Sequence, residues 1–152
     1  MPHITDTLHQ AHETVSELIE KLQDTTGGAE KTRTNLCQQI KHALLAHTEF
    51  EESVFYPAVR ELNAEAANEV EAALGEHEEV DQMLDELEEM EPTSEEFMET
   101  VTQLQEAILE HVRHEEEKIF PLARKGIESE DAEEMSQQHD QMLEEHMQKA
   151  KQ

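Results

Sequence analysis

A chain of 152 residues with 36% hydrophobic residues is long enough for one domain with a real core and too short for two comfortable ones. Only 3% of the residues are aromatic, which argues against a sheet; Leu, Ala, Glu, Gln, Met and Lys dominate and make an all-α protein. The formal charge of −27 repels phosphate, so a nucleic-acid partner and an anionic membrane surface are both disfavoured. A single cysteine, Cys37, suits a reducing compartment. With no secretory signal at the N-terminus and no apolar run of membrane-spanning length, a cytoplasmic protein is expected.

Helix breakers divide the chain. Thr5-Asp6 can cap a first helix that runs to about Asp24 and stops at Thr25-Thr26-Gly27-Gly28. A second runs from about Lys31 to Pro57 or slightly beyond, and Asn63 opens a third that ends before Glu91-Pro92. Thr93, with Glu96 three residues on, forms a capping box for the fourth, which reaches about Lys125 and stops at Gly126. Ser129 caps a weaker fifth helix. Each of the first four carries an apolar stripe at helical spacing, for instance Leu8, Val15, Ile19 and Leu22 on the first. The expected fold is an antiparallel up-down-up-down four-helix bundle over residues 1–125, with an additional C-terminal helix over 126–152 that packs on or extends from it.

The two halves repeat each other. His12-Glu13-Thr14-Val15 recurs as His77-Glu78-Glu79-Val80, and the segment from His47 to Pro57 recurs from His111 to Pro121. The offset is the same to within one residue, as in two helical hairpins related by a pseudo-twofold axis.

Polar residues interrupt the apolar stripes. His12 lies between Leu8 and Val15, His77 between Leu74 and Val80, His47 and Glu51 follow Leu44, and His111 and Glu115 follow Ile108. A His and a Glu four residues apart share one helix face, about 6 Å apart along the axis. In an antiparallel hairpin, residues equidistant from the turn lie level. The midpoint of 12 and 47 falls beside Gly27-Gly28, that of 77 and 111 at Thr93-Ser94, and that of 77 with the mean of 47 and 51 at Asn63. Six side chains therefore meet in one layer. Unpartnered, each buried charge would cost several kcal/mol. Two metal ions compensate, each taking two His with the two Glu bridging; the nitrogen-rich set fits Fe, with Zn, Mn or Co as substitutes, and does not suit Mg or Ca. The bland alternative is a buried cluster of His–Glu hydrogen bonds.

This pattern resembles the hemerythrin-like (HHE cation-binding) family, whose signature is a lone His on helices one and three and His-x-x-x-Glu ending in Pro on helices two and four. Here those residues are His12, His77, His47 with Glu51, and His111 with Glu115, followed by Pro57 and Pro121. The resemblance covers residues 5 to about 125 and implies a non-haem di-iron centre bridged by carboxylates. Oxygen-carrying members have a further His one turn away on helix three, where this chain has Ala73 and Asp81. Reversible oxygen carriage is therefore not implied, while oxygen, nitric oxide or peroxide chemistry, redox sensing and iron handling stay open.

Other polar residues read as ordinary. His9 and His114 border the site but fall outside the repeat register, and His42 faces elsewhere. Glu52 and Glu116 are rotated about 100° from the ligand Glu and suit hydrogen bonds to the ligands, although Glu116 has the spacing of a carboxylate ligand in oxygen-carrying members. Tyr56, nine residues past His47, is expected on the opposite face. Cys37 reads as a packed thiol about 15 Å from the layer. Pro57 and Pro121 should kink or end their helices. On the fifth helix Met135, His139, Met142 and His146 form a stripe that reads as packing rather than ligation. The leading expectation is a di-iron protein that binds or senses O2 or NO, or handles iron. A peroxidase- or oxidase-like enzyme is the second reading, lacking a spare acid in the layer. A metal-free helical interaction module is the third.

Overall fold

The computed structural model describes residues 3–26 and 28–150, the side chains of the last two excepted. The described residues form helices and turns, without strands. The first hairpin pairs α1 (Ile4–Gln23) with α2 (Glu30–Phe50). The second pairs α4 (Ala64–Glu89) with α5 (Glu95–His114). The short helices α3 (Tyr56–Arg60) and α6 (Phe120–Gly126) prolong α2 and α5, and α7 (Ser129–Ala150) lies along α2 and α1.

The caps differ in detail from the sequence expectation. His3, not Thr5-Asp6, caps α1: its Nδ1 accepts from the Thr5 N–H, while Asp6 accepts in return from the His3 N–H. Ser94, one residue after Thr93, caps α5 by accepting from the Phe97 N–H. Asn63 caps α4 through the Ala66 N–H, as its position before the apolar stripe suggests. At the end of α6 a side chain on Gly126 would come within 2.5 Å of Leu62, so close packing, beside helix termination, favours glycine there.

Neither Pro57 nor Pro121 ends its helix. Each is preceded by a π-helical turn, Glu51–Phe55 and Glu115–Ile119, in which the N–H of Tyr56 bonds to Glu51 O and that of Phe120 to Glu115 O. A proline ring collides with the carbonyl four residues back in an α-helix. Widening the preceding turn by one residue moves that carbonyl aside and lets the helix continue.

The apolar interior forms two clusters. One gathers Leu8, Phe50, Phe55, Val70, Ile119 and Phe120; the other gathers Val15, Ile19, Leu44, Val80, Leu84 and Leu104. Each buried Leu, Ile or Phe contributes about 1.5–3 kcal/mol relative to exposure. Along every long helix of the two hairpins the switch from one cluster to the other falls at a histidine: His12, His47, His77 and His111. The polar layer thus separates two hydrophobic cores. No described helix is long and apolar enough to cross a membrane.

Candidate metal centre

The helical stripe places His12 on α1, His47 on α2, His77 on α4 and His111 on α5, while Glu51 and Glu115 open the two π-helical turns. All six are buried, and both carboxylates are fully so. Glu51 Oε1 lies 3.1 Å from His47 Nε2 and 3.2 Å from His77 Nε2. Glu115 reaches His12 Nε2 with Oε1 at 3.1 Å and His111 Nε2 with Oε2 at 3.4 Å. Ligand atoms of Glu51, His77, His111 and Glu115 lie within 4.8 Å of one another, and so do those of His12, His47 and Glu115. Glu115 belongs to both groups and stands between them.

Most of these contacts are close without being hydrogen bonds. Nε2 of His12 and of His47, both oxygens of Glu51 and Oε1 of Glu115 are buried with no hydrogen-bond partner. Leaving such an atom unsatisfied costs about 1–3 kcal/mol. Lone pairs from four helices converging on common points are the arrangement a divalent transition metal satisfies, and the imidazole-rich donor set fits Fe, Zn or Mn. On this ground the residues present fit a metal centre.

Outside the layer, carboxylates hold the far edges of three imidazoles. His12 Nδ1 pairs with Glu116 Oε2 at 3.1 Å, His77 Nδ1 with Glu52 Oε2 at 3.0 Å, and His111 Nδ1 with Glu76 Oε1 at 2.8 Å. Such bonds turn Nε2 inward and fix the tautomer. Glu116 also binds the exposed His9, and Glu76 also binds His114, so these two histidines sit beyond the layer. Glu76 escaped the sequence reading because only its neighbour His77 lies on the stripe.

The electrostatics of the site follow from burial against charge. Burial opposes protonation of His12, but Glu115 and Glu116 outweigh it and raise the pKa to about 9. The same contest, with Glu115, Glu51 and Glu76 winning, pushes His111 up to about 12. His77 is raised too, chiefly by Glu51 against burial. Burial likewise opposes charge on Glu51, yet His47, with Glu115 and His111, holds its carboxyl well below the usual range. Protons on the imidazoles thus offset the buried carboxylates when no cation does.

Tyr56 is a correction to the sequence reading. Its ring stacks on His77 with centroids 5.4 Å apart, and its hydroxyl donates to Glu115 Oε2 at 2.5 Å. Counting 100° per residue put it on the opposite face, but the π-helical turn absorbs one residue and swings it into the layer. Burial, then Glu115 and Glu51, raise its pKa well above the usual value, so the phenol keeps its proton. Phe120, at the equivalent place in the second half, stacks on His12 at 5.8 Å. His139 from α7 is also buried and meets His47 edge to face at 6.0 Å. His146 lies farther out, against Glu49.

Between the four histidines is a cavity of about 20 Å³, closed by Val15, Leu44, Val80, Ile108 and Val112. A larger cavity of about 570 Å³ opens between α2 and α4 near the hairpin turns, beside Cys37 and Leu84. Burial and Glu88 push the Cys37 thiol up to about 11, which keeps it protonated and weakly nucleophilic at neutral pH.

Comparison with known proteins bears on this site. A protein of Nostoc sp. strain PCC 7120 described as a DNA nickase is 31% identical over 131 residues, which cover 86% of this chain; the match spans only 36% of that protein. The crystal structure of a hemerythrin HHE cation binding domain-containing protein from Mycobacterium kansasii superposes with a TM-score of 0.82 at 20% identity. That match covers 96% of this chain and 88% of the other, and shows a shared fold. The sequence model of the hemerythrin HHE cation binding domain matches residues 3–123, and with that match over most of its length the chain belongs to the hemerythrin HHE cation-binding family.

Proposed function

We propose that this protein holds two iron ions, one on His12 and His47 and one on His77 and His111, with Glu51 and Glu115 between them, and that it uses them to bind or sense O2 or NO or to handle iron. Zinc or manganese would substitute in the same donor set. The observation that carries the reading is that Nε2 of His12 and His47, both oxygens of Glu51 and Oε1 of Glu115 are buried without hydrogen-bond partners, within two groups of converging His and Glu side chains. Iron supplies a redox-active centre with affinity for small diatomic molecules. The chain's own residues do the rest. Glu116, Glu52 and Glu76 orient three of the imidazoles, and apolar residues line the small cavity of about 20 Å³ between them, which leaves little room for bulk water.

Tyr56 favours a second reading, a peroxide-consuming enzyme. A buried phenol on Glu115 is a proton donor in the layer where the sequence stripes offer none. The name of the Nostoc relative supports no third reading here, because this chain spans only about a third of that protein and its charge of −27 opposes a phosphate backbone.

Protein loaded anaerobically with ferrous iron is expected to hold about two metals per chain by elemental analysis. His47→Ala and Glu115→Ala should lose metal, and His42→Ala should keep it. A content near zero in the unsubstituted protein after loading would end the metal reading. Retention by His111→Ala with loss by His114→Ala would overturn the assignment on α5.

A further inference from the structure

The two halves of the site repeat in their outer contacts as well as in their ligands. Glu116 holds His12, and its equivalent Glu52 holds His77. Glu76, the residue before His77, holds His111. The repeat therefore calls for a carboxylate before His12 to hold His47. That residue is Ala11, which has no acceptor on its side chain. His47 Nδ1 is accordingly buried without a hydrogen-bond partner. Its Nε2 faces Glu51, so Nδ1 is the edge turned away from the layer.

On that outer side lies α7, an element with no counterpart in the repeat and beyond the residues 3–123 that the family model matches. His139 stands edge to face with His47, centroids 6.0 Å apart, and edge to face with Phe50 at 5.2 Å. It is only 3% exposed, and its Nε2 also lacks a hydrogen-bond partner. Its Nδ1 pairs with Asp140 Oδ1 at 3.3 Å. With Nδ1 donating to that carboxylate, Nε2 is left as a lone pair. An imidazole that offers Nε2 to a metal keeps its proton on Nδ1 and needs an acceptor for it. A donor and an acceptor, both buried and both unsatisfied, thus sit on adjacent rings whose centroids are 6.0 Å apart.

We propose that His139 is the outer hydrogen-bond partner of His47, and that it couples the seating of the C-terminal helix to occupation of the metal centre. The inference rests on the metal reading above. It makes His139 a positioning residue: where the other three imidazoles are held by carboxylates, His47 is held by an imidazole on a helix added to the domain. Because coupling is reciprocal, metal should tighten α7 as much as α7 tightens metal.

The test uses the full chain and ferrous iron under anaerobic conditions, with a competing chelator to report affinity and hydrogen exchange to report α7. His139→Leu keeps the apolar contact with Phe50 and removes the nitrogen; His139→Gln restores a hydrogen-bonding group. His139→Leu should bind iron about 10–100-fold more weakly, the usual effect of losing an outer partner, while His139→Gln stays near the unsubstituted protein. Iron should slow amide exchange around residues 136–143 in the unsubstituted protein and not in His139→Leu. Equal affinity in His139→Leu, or a His139→Gln variant as weak as His139→Leu, overturns the proposal while leaving two ions in the centre. Absence of iron from the unsubstituted protein overturns this and the metal reading together. Should His139→Leu fail to fold, exchange in the unsubstituted protein decides: α7 amides equally protected with and without iron refute the coupling.

Discussion

Tyr56 and Phe120 hold equivalent places in the two halves, each stacked on a histidine, and they differ by one oxygen atom. That oxygen makes the site asymmetric, because it gives the Glu115 carboxylate a hydroxyl donor where Phe120 offers none. Tyr56→Phe should therefore leave the stacking and the iron content intact. If the centre consumes peroxide with Tyr56 as proton donor, turnover should fall by about 100-fold, the scale of a lost general acid. An unchanged rate would remove Tyr56 from that role. Ala11 invites the opposite change: in a His139→Leu background, Ala11→Glu should recover most of the lost iron affinity by giving His47 a carboxylate, as Glu76 does for His111. No recovery would mean that α1 does not bring residue 11 to His47 as α4 brings residue 76 to His111. The six buried His and Glu were legible in the sequence because they break apolar stripes at positions level across the bundle. Tyr56 was not, because a uniform 100° per residue cannot anticipate the π-helical turn.

Among the elements, the hairpin turns are joined by a side chain that the stripe reading passed over. Arg33 is only 4% exposed near the start of α2. Its Nε donates to Thr25 Oγ1 at 2.8 Å, one terminal nitrogen donates to Pro92 O at 2.7 Å, and the other donates to Thr25 O at 3.2 Å. It thereby ties the α1–α2 turn to the α4–α5 turn. Arg33→Ala would strip donors from three half-buried acceptors, at a cost of about 2–3 kcal/mol. For a domain of this size the thermal midpoint should drop by roughly 5–10 °C. The six candidate ligands lie on other turns of their helices, so iron content at saturation should not change. Loss of iron from folded Arg33→Ala protein would show that the hairpin turns set the geometry of the layer. Helix boundaries were readable from Gly, Asn and Ser positions to within a residue or two. Of the two effects expected of the prolines, a kink or an end, the end does not occur, because the widened turn before each lets the helix continue.

At the scale of the molecule, a polar layer separates two apolar cores, each spanning both hairpins. The stripes that build those cores do not depend on metal, so the chain should fold without it. The layer is the weak plane, since Glu51 and Glu115 are fully buried and both oxygens of Glu51, Oε1 of Glu115 and Nε2 of His12 and His47 lack hydrogen-bond partners. Two ions bound there as proposed would each join the two helices of one hairpin through their histidines, His12 with His47 and His77 with His111, while Glu115, which belongs to both groups, would link the two. Free metal at a hundred times its dissociation constant stabilises the native state by about 2.7 kcal/mol per site through linkage. In a domain of this size that gain from one site raises the thermal midpoint by roughly 5–10 °C. Thermal unfolding followed by circular dichroism, with and without iron, should show this rise, and chelation should reverse it while the helical signal at low temperature persists. A fully unfolded metal-free chain would mean that the two cores cannot stand without the layer being filled. An unchanged midpoint with iron bound would mean that the ions do not cross-link the helices, and the convergence of six buried side chains would then need a different cause.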